Sequence, residues 1–261
     1  MPGLRHSLLL ALVALVACSP LAERPGASGQ TNHVAASASE PAQCRALLGD
    51  SAQSGIAGLD PSNISLLNWN IQKGKQPGWE ADLGTLAFGS QLVLMQEAAL
   101  HPEMIKTDRL ASYWSFAPGY QEDETLTGVL TLSSIEPITH CNLTDWEPWL
   151  RTPKATSITQ YALAGNDQTL VVVNIHAVNF TLRVKPYRQQ LQRVVAALQD
   201  HRGPLIVSGD FNSWRQGRED AVQELVDQLQ LVPVHYREDR RIQIFGRPID
   251  HIYVRGLQTV E

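Results

Sequence analysis

Beyond residue 61 the chain alternates short apolar runs with amphipathic stretches. Apolar faces recur at helical spacing in two segments, 184–201 and 219–231, and in the first this face carries Tyr187, Leu191, Val194, Val195 and Leu198. Short runs rich in β-branched residues and bounded by Gly, Pro or Asp predict strands, and seven occur: ISLLNWNIQ (64–72), QLVLMQE (91–97), VLTLSS (129–134), TSITQYAL (156–163), TLVVVNIHA (169–177), PLIVSGDFN (204–212) and DHIYVRG (250–256). The pattern predicts an α/β or α+β domain of sheets covered by helices.

Four of the predicted strands end in a polar side chain. Asn70 ends the first, Glu97 the second and His176 the fifth, while Asp210 and Asn212 end the sixth. Taken singly, each would be an ordinary turn or loop residue. Together they indicate one shared rim, which is where pockets in sheet proteins tend to lie.

The first 61 residues have a different pattern. Arg5 and His6 precede an apolar run from Leu8 to Val16 and then small residues, which is the layout of an export signal and too short to span a bilayer comfortably. A short buried helix or an uncleaved anchor is the alternative. Residues 19–61 are rich in Ala, Ser, Gly, Pro and Gln, which predicts a disordered linker with at most a turn of helix near Cys44. The predicted organisation is therefore signal 1–18, linker 19–61 and folded domain 62–261.

The segment Leu15-Val16-Ala17-Cys18 resembles a bacterial lipobox, in which the cysteine becomes the lipidated first residue of the mature protein. In lipoproteins of this kind, a residue other than Asp after that cysteine usually implies the outer membrane, and Ser19 stands there. We therefore expect an exported protein anchored by lipid in the cell envelope. Cys44 and Cys141 would then remain, either as a disulfide in an oxidising compartment or as two buried thiols.

Amino-acid composition adds only slightly to these predictions of fold and localisation. The 261 residues are 43% hydrophobic and 18% charged, which suits one sizeable domain after the linker. The formal charge of −5 provides no global basic field. A nucleic-acid partner would need a local basic patch or metal ions. Arginine and lysine do gather locally, at Arg183, Lys185 and Arg188, at Arg215 and Arg218, and at Arg237, Arg240, Arg241 and Arg247.

Five motifs, in order, carry a more specific resemblance: WNIQKG, LMQEA, NIHAVNF, SGDFNSW and RPIDHIYV. Together they resemble the endonuclease/exonuclease/phosphatase superfamily, and the segments VVVNIHAVNF and FGRPIDHIY most resemble a bacterial group within it. The resemblance runs from about residue 64 to the last residue. It implies a two-sheet α/β sandwich flanked by helices, and a hydrolase that uses Mg²⁺ or Mn²⁺.

The resemblance also implies roles for individual residues. Glu97 would be the principal ligand of the divalent ion, with Asn70 beside it, a sparse oxygen ligation that suits Mg²⁺. Asp210 would orient or deprotonate the attacking water. Asn212 would donate to the phosphorane oxygens as charge builds, and His176 would stabilise phosphate charge or help to protonate the leaving group.

Asp250 matches the family motif whose carboxylate orients a catalytic histidine. In the family that histidine comes later, in a Ser-Asp-His segment leading into the final strand, which this chain lacks. His251 is a poor substitute, because neighbouring strand residues point to opposite faces. We therefore expect the domain to lack its last strand.

The leading functional hypothesis is a divalent-metal-dependent phosphodiester hydrolase that acts by water attack, with nucleic acid as the first candidate substrate. A sphingomyelinase-like phospholipid phosphodiesterase is an alternative. The other is a truncated lipoprotein that is weakly active or only binds phosphate, because a general acid–base group is typically worth about 10²–10⁴-fold in rate.

Overall fold

The computed structural model describes residues 32–34, 40–49, 57–101, 104, 111–165 and 167–259. The predicted signal peptide and lipobox, including Cys18, lie outside the described residues, as does most of the predicted linker. Among the described helices, none is long and apolar enough to cross a bilayer.

The first sheet is built mainly from the N-terminal half of the domain. Its order is β1-β4-β5-β3-β2, with β1 parallel to β4, β2 parallel to β3, and the remaining pairs antiparallel. Helix α2 (Trp79–Leu86) covers its outer face, where Trp79 and Leu83 pack with Val93 and Met95. The strands are β1 (Asn32–Val34), β2 (Leu66–Asn70), β3 (Leu92–Ala99), β4 (Tyr113–Glu122) and β5 (Thr125–Ser133).

The second sheet has the order β10-β13-β9-β8-β7-β6, and β8 and β9 are its parallel pair. Helix α3 (Val184–Leu198) makes the crossover between these two strands, and α4 (Gln216–Leu229) follows β9. The strands are β6 (Thr139–Trp146), β7 (Pro153–Ala162), β8 (Thr169–His176), β9 (Leu205–Asp210), β10 (Val232–Pro233) and β13 (Asp250–Arg255), with a separate hairpin of β11 (Gln243–Ile244) and β12 (Arg247–Pro248).

The alternation of side chains along β8 explains how the layers pack. Val171, Val173 and Ile175 face the outer helices α3 and α4. Leu170 and Val172 face the space between the sheets, where they meet residues of β3 such as Leu92 and Leu94. This two-sheet sandwich with helices outside confirms the predicted fold class. The seven predicted strands and both predicted helices are present, whereas helix α2, strands β4 and β6 and the short strands β1, β10, β11 and β12 were not predicted.

Parts of the segment predicted as a disordered linker are ordered on the domain. Helix α1 (Pro41–Leu47) begins with Pro at its first turn, where a missing N–H costs nothing. Cys44 is buried within the helix-side core and forms a disulfide with Cys141, with a Cα–Cα distance of 5.6 Å. Leu59 is fully buried between the sheets. The predicted boundary at residue 61 is therefore corrected, since Cys44 and Leu59 belong to the folded unit, and the disulfide alternative holds.

Candidate active site

Strand register brings the predicted polar residues to one rim of the sandwich. Parallel pairing of β8 and β9 sets His176 opposite Asp210, and antiparallel pairing of β13 sets Asp250 on the other side of Asp210. In the first sheet, β2 and β3 are parallel and Asn70 lies opposite Gln96, next to Glu97. The two sheets meet at Asn70, whose Nδ2 donates to Asp210 Oδ2 at 3.0 Å.

Asp210 is the centre of this arrangement. The residue is 4% exposed, and its Oδ1 accepts the backbone N–H of Asn212 at 2.9 Å. Burial raises the pKa of the Asp210 carboxyl, and the hydrogen bonds from Asn70 and Asn212 oppose that rise. Both carboxylate oxygens are thus oriented by donors, while the group is more basic than an ordinary aspartate.

His176 lies between a cation and two carboxylates. Lys154 Nζ is 3.0 Å from His176 Nε2, which is also 3.7 Å from Glu97 Oε1 and 3.9 Å from Asp210 Oδ2. Burial and then the Lys154 charge hold the pKa of His176 well below its ordinary value. An ammonium group only donates, so Nε2 accepts and the proton sits on Nδ1. Positive charge at this point therefore comes from Lys154.

The Glu97 carboxylate is available for a cation. No donor within the described residues makes a hydrogen bond to it, and 29% of its side chain is exposed. Asn70 Oδ1 accepts one N–H, from Gln72, and keeps a second lone pair. These oxygens fit an ion such as Mg²⁺, which keeps several waters. Groups of three or more His, Cys, Asp or Glu side chains able to hold a metal are absent from the described part of the chain.

Backbone conformation at the site is unusual. Glu97 has φ +50° at an irregularity in the β3–β5 pairing, and Asn212 has φ +48°. Non-glycine residues adopt this region infrequently, and such strain persists where the surroundings enforce it. Asn212 Nδ2 donates to the carbonyl of Ala177 at 3.1 Å, which leaves its second N–H for another acceptor.

Gly209 explains how β9 can approach β8 so closely beside the site. A Cβ at this position would lie 2.0 Å from the carbonyl oxygen of Ile175. No side chain fits there without backbone movement, which accounts for the glycine immediately before Asp210.

The Asp250 carboxyl faces Asp210 without a neutralising partner. Its Oδ1 is buried and has no hydrogen bond within the described residues. Arg241 Nη1 donates to the Asp250 backbone carbonyl at 3.0 Å, and its guanidinium is paired with Asp239. Burial, followed by the charge of Asp210, raises the pKa of Asp250 to about 7.

His251 points away from Asp250, as predicted from strand alternation, and contacts Ser213. Ser213 Oγ lies 2.7 Å from His251 Nε2 and donates to the carbonyl of Pro248 at 2.9 Å. Arg241 contacts His251 Nδ1 at 3.3 Å and only donates, so Nε2 carries the proton and donates to the serine. This pair therefore does not activate Ser213 as a nucleophile.

Two residues that support the site, Lys154 and Glu147, were not predicted. A third, Arg218, was predicted only as part of a local basic group that could contact the substrate, and its burial corrects that expectation. Glu147 Oε1 lies 3.8 Å from Lys154 Nζ and accepts the N–H of Asn179 at 2.8 Å. Arg218 is completely buried and donates to carbonyls of Val178 and Asn212. A lysine opening a strand and a glutamate in a loop carry no local signal, because their contacts come from distant segments.

A cavity of about 730 Å³ opens beside Asn70, Asp210 and Asp250, with Arg240 and Arg241 along it. Four of the nine predicted basic groups pair with carboxylates among the described residues, including both arginines that line the cavity. Arg188 pairs with Glu224, Arg240 with Glu238, Arg241 with Asp239 and Arg247 with Glu219. The arginines that line the cavity therefore offer little free positive charge to a phosphate backbone.

Comparison with known proteins agrees with this geometry. The model of the endonuclease/exonuclease/phosphatase family matches residues 67–261. The chain belongs to this family. A UPF0294 protein of Vibrio vulnificus is 39% identical over 200 residues, covering 76% of this chain and 70% of the relative.

Solved structures of the family share the fold at low identity. The catalytic domain of human Nocturnin superposes with a TM-score of 0.53 at 16% identity, covering 76% of this chain and 84% of that domain. Sphingomyelinase C from Streptomyces griseocarneus has a TM-score of 0.52 at 14% identity, covering 74% and 84%. The family fold is that of phosphoesterases, and its enzymes generally use divalent metal ions.

Proposed function

We propose that the protein is a divalent-metal-dependent phosphodiester hydrolase that uses water as the nucleophile. The observation that carries this proposal is the Asp210 carboxylate, buried, held at both oxygens and raised in pKa, at a rim shared with Glu97, Asn70 and His176. A general base needs this combination of fixed geometry and raised basicity.

Each residue has a distinct part in the proposed reaction. Asp210 takes the proton of the attacking water. The free N–H of Asn212 and the Lys154 ammonium stabilise negative charge on the phosphate oxygens. Neutral His176 accepts from Lys154 and positions it. Mg²⁺ or Mn²⁺, held by the oxygens of Glu97 and Asn70, would supply Lewis-acid polarisation of the phosphate.

Hydrolysis of bis-p-nitrophenyl phosphate tests the proposal. We expect activity with Mg²⁺ or Mn²⁺, loss in EDTA, and a fall of about 10²–10⁴-fold for Asp210→Asn. Glu97→Gln should weaken metal dependence. The matched controls are Asp220→Asn and Glu80→Gln, both at exposed positions. Metal-independent turnover, or turnover that survives Asp210→Asn, would contradict the mechanism.

Asp250 supports a second candidate, a weakly active or phosphate-binding protein. The resemblance assigns Asp250 to orient a histidine, and no described histidine bonds to its carboxylate. Added imidazole should then raise the rate of the wild type and leave Asp250→Asn unchanged. Phosphate binding without turnover, with or without imidazole, would favour this second candidate.

The substrate class is part of the same proposal. Nucleic acid was the first candidate from the motifs, but the neutralised arginines along the cavity give it less support than a phospholipid headgroup. Assays on plasmid DNA, RNA and sphingomyelin, side by side with the soluble diester, separate the classes.

We also propose the location predicted from residues 1–18: an exported protein anchored at Cys18 in the cell envelope, at the outer membrane. Metabolic labelling with a radioactive fatty acid should mark the wild type, and Cys18→Ser should remove the label. An unlabelled wild-type protein would overturn the anchor.

A further inference from the structure

Four segments on the rim that carries the candidate active site present apolar side chains to solvent. They line a cavity of about 360 Å³, and their apolar members, here called the apolar patch, are Trp149, Phe180, Leu182, Trp214, Ile244 and Phe245. Phe180 follows His176 by four residues, and Trp214 follows Asn212 by two. Ile244 also lines the cavity beside Asp210, so the patch adjoins the site.

Exposure in this patch exceeds what isolated surface residues show. Trp149 is 60% exposed, Leu182 is 71% exposed and Phe245 is 79% exposed. Single exposed apolar side chains are common, but a contiguous group contributed by separate segments marks an interaction surface.

Hydrogen bonds hold the loops in this exposed arrangement. Buried Arg218 donates to the carbonyls of Val178 and Asn179. Arg215 donates to the carbonyls of Thr181 and Leu182, and both of its bonds are 3.0 Å long. Because its carbonyls are tied down, the loop cannot turn Phe180 and Leu182 inward without losing several bonds. The patch is preformed.

Phe245 stands at the tip of the β11–β12 hairpin. The two turn residues, Phe245 and Gly246, have φ +53° and +75°, the conformation of a type I′ turn that favours Asn or Gly. A bulky aromatic residue is uncommon there. Its ring meets Trp214 at 6.2 Å between centroids and is otherwise open to solvent. The strained turn conformation directs the ring of Phe245 into solvent, which indicates that this ring contacts a binding partner.

Charges around the patch identify the partner. Arg151, Arg183 and Lys185 flank Leu150 and Leu182, are exposed, and form no ion pair within the described residues. Tryptophan, aliphatic side chains and basic residues together suit the interface of a bilayer with anionic lipids. A nucleic-acid platform would use aromatic rings for stacking, and the aliphatic Leu182 and Ile244 add nothing to that. We propose that the apolar patch docks the protein, active-site rim first, onto an anionic phospholipid bilayer.

Sedimentation with phosphatidylcholine/phosphatidylglycerol vesicles tests the docking. The full chain carries Cys18→Ser in every sample so that no lipid is attached. The patch variant is Trp149→Ser/Leu182→Ser/Phe245→Ser. The control, Leu86→Ser/Phe88→Ser/Val232→Ser, removes side chains that are 57%, 86% and 54% exposed elsewhere. We expect the patch variant to lose at least about tenfold in partitioning, and the control to match the wild type.

A second measurement guards against misfolding of the patch variant and against binding through the N-terminal segment. Brominated acyl chains should quench tryptophan fluorescence of the wild type more than that of Trp149→Phe, because Trp149 enters the bilayer. Equal quenching, with equal partitioning of patch and control variants, would overturn the proposal.

Other outcomes distinguish bilayer docking from binding to other partners and from the proposed hydrolysis. A wild-type dimer that the patch variant converts to monomer, with unchanged vesicle binding, would overturn docking in favour of self-association. If the patch variant lost binding to single-stranded oligonucleotides while its vesicle binding stayed unchanged, the docking proposal would be overturned in favour of a nucleic-acid partner. Docking does not depend on hydrolysis, so activity on soluble bis-p-nitrophenyl phosphate should persist in the patch variant, and the two proposals can fail separately.

Discussion

Replacing Asp250 by Asn should stabilise the protein at neutral and alkaline pH. The Asp250 carboxyl is half-buried beside Asp210, its Oδ1 has no hydrogen bond within the described residues, and the nearest cation, Arg241, is paired with Asp239. Ionising this carboxyl therefore places a second negative charge where neither water nor a cation compensates it fully. Asparagine keeps the shape and removes that charge.

The magnitude follows from the pKa. Burial and the Asp210 charge raise the pKa of Asp250 to about 7, against an ordinary value of 3.8. A carboxyl whose pKa is raised by folding contributes its full stability when the pH is below its ordinary pKa. That contribution is lost as the pH rises through the folded-state pKa. Between pH 3.8 and about 7, each pH unit lowers the free energy of unfolding of the wild type by about 1.4 kcal/mol. Partial exposure of the carboxyl to water reduces the total. We therefore expect Asp250→Asn to be more stable than the wild type by about 2–4 kcal/mol at pH 8 and to show almost no difference near pH 4.

Urea unfolding followed by circular dichroism measures the effect. Wild type and Asp250→Asn are compared at several pH values from about 4 to about 8 in EDTA, so that no metal ion changes the charge balance. The difference in free energy of unfolding should grow with pH and level off above about 7. Asp220→Asn, at an exposed position on α4, is the matched control and should show no such growth. A pH-independent difference, or an Asp250→Asn protein less stable than wild type at alkaline pH, would refute the reasoning.

Three further predictions concern the scaffold and the charge beside His176. Cys141→Ala should lower the free energy of unfolding by about 3–5 kcal/mol, because the disulfide closes a separation of 97 residues, and a urea midpoint insensitive to dithiothreitol would contradict this. Gly209→Ala should cost about 3 kcal/mol or more by urea unfolding, since its Cβ would meet the Ile175 carbonyl, whereas the control Gly84→Ala, in an open helical position, should not destabilise. Lys154→Met should raise the pKa of His176 towards its ordinary value in an NMR titration; an unmoved pKa would leave burial as its only cause.

Most of the strands could be predicted because their apolar runs are uninterrupted. Strand β4 escaped prediction since Pro118 and Gly119 interrupt it, and its pairing with β5 is irregular after Pro118. Strand β6 escaped because its sequence THCNLTDW is mostly polar. The ordered position of α1 also escaped, because it depends on a disulfide and a core contact far away in the chain.

The side chains at the site also divide into those that could be predicted from the sequence and those that could not. Asn70, Glu97, His176, Asp210 and Asn212 could be selected because each follows an apolar run and matches a motif. Lys154 and Glu147 could not be selected, because each meets its partners through segments remote in sequence. The apolar patch could not be predicted either, since its members come from four separate segments.

The sequence by itself determined which segments become strands and which polar residues end them, because periodicity and strand ends are local properties of a chain. Only the tertiary structure decided the state of the polar residues: that His176 accepts from Lys154, that Asp250 lies unneutralised beside Asp210, and that Arg240 and Arg241 along the cavity are paired. Charge and proton affinity depend on burial and on distances of a few ångströms between groups, and only the packed sheets set those distances.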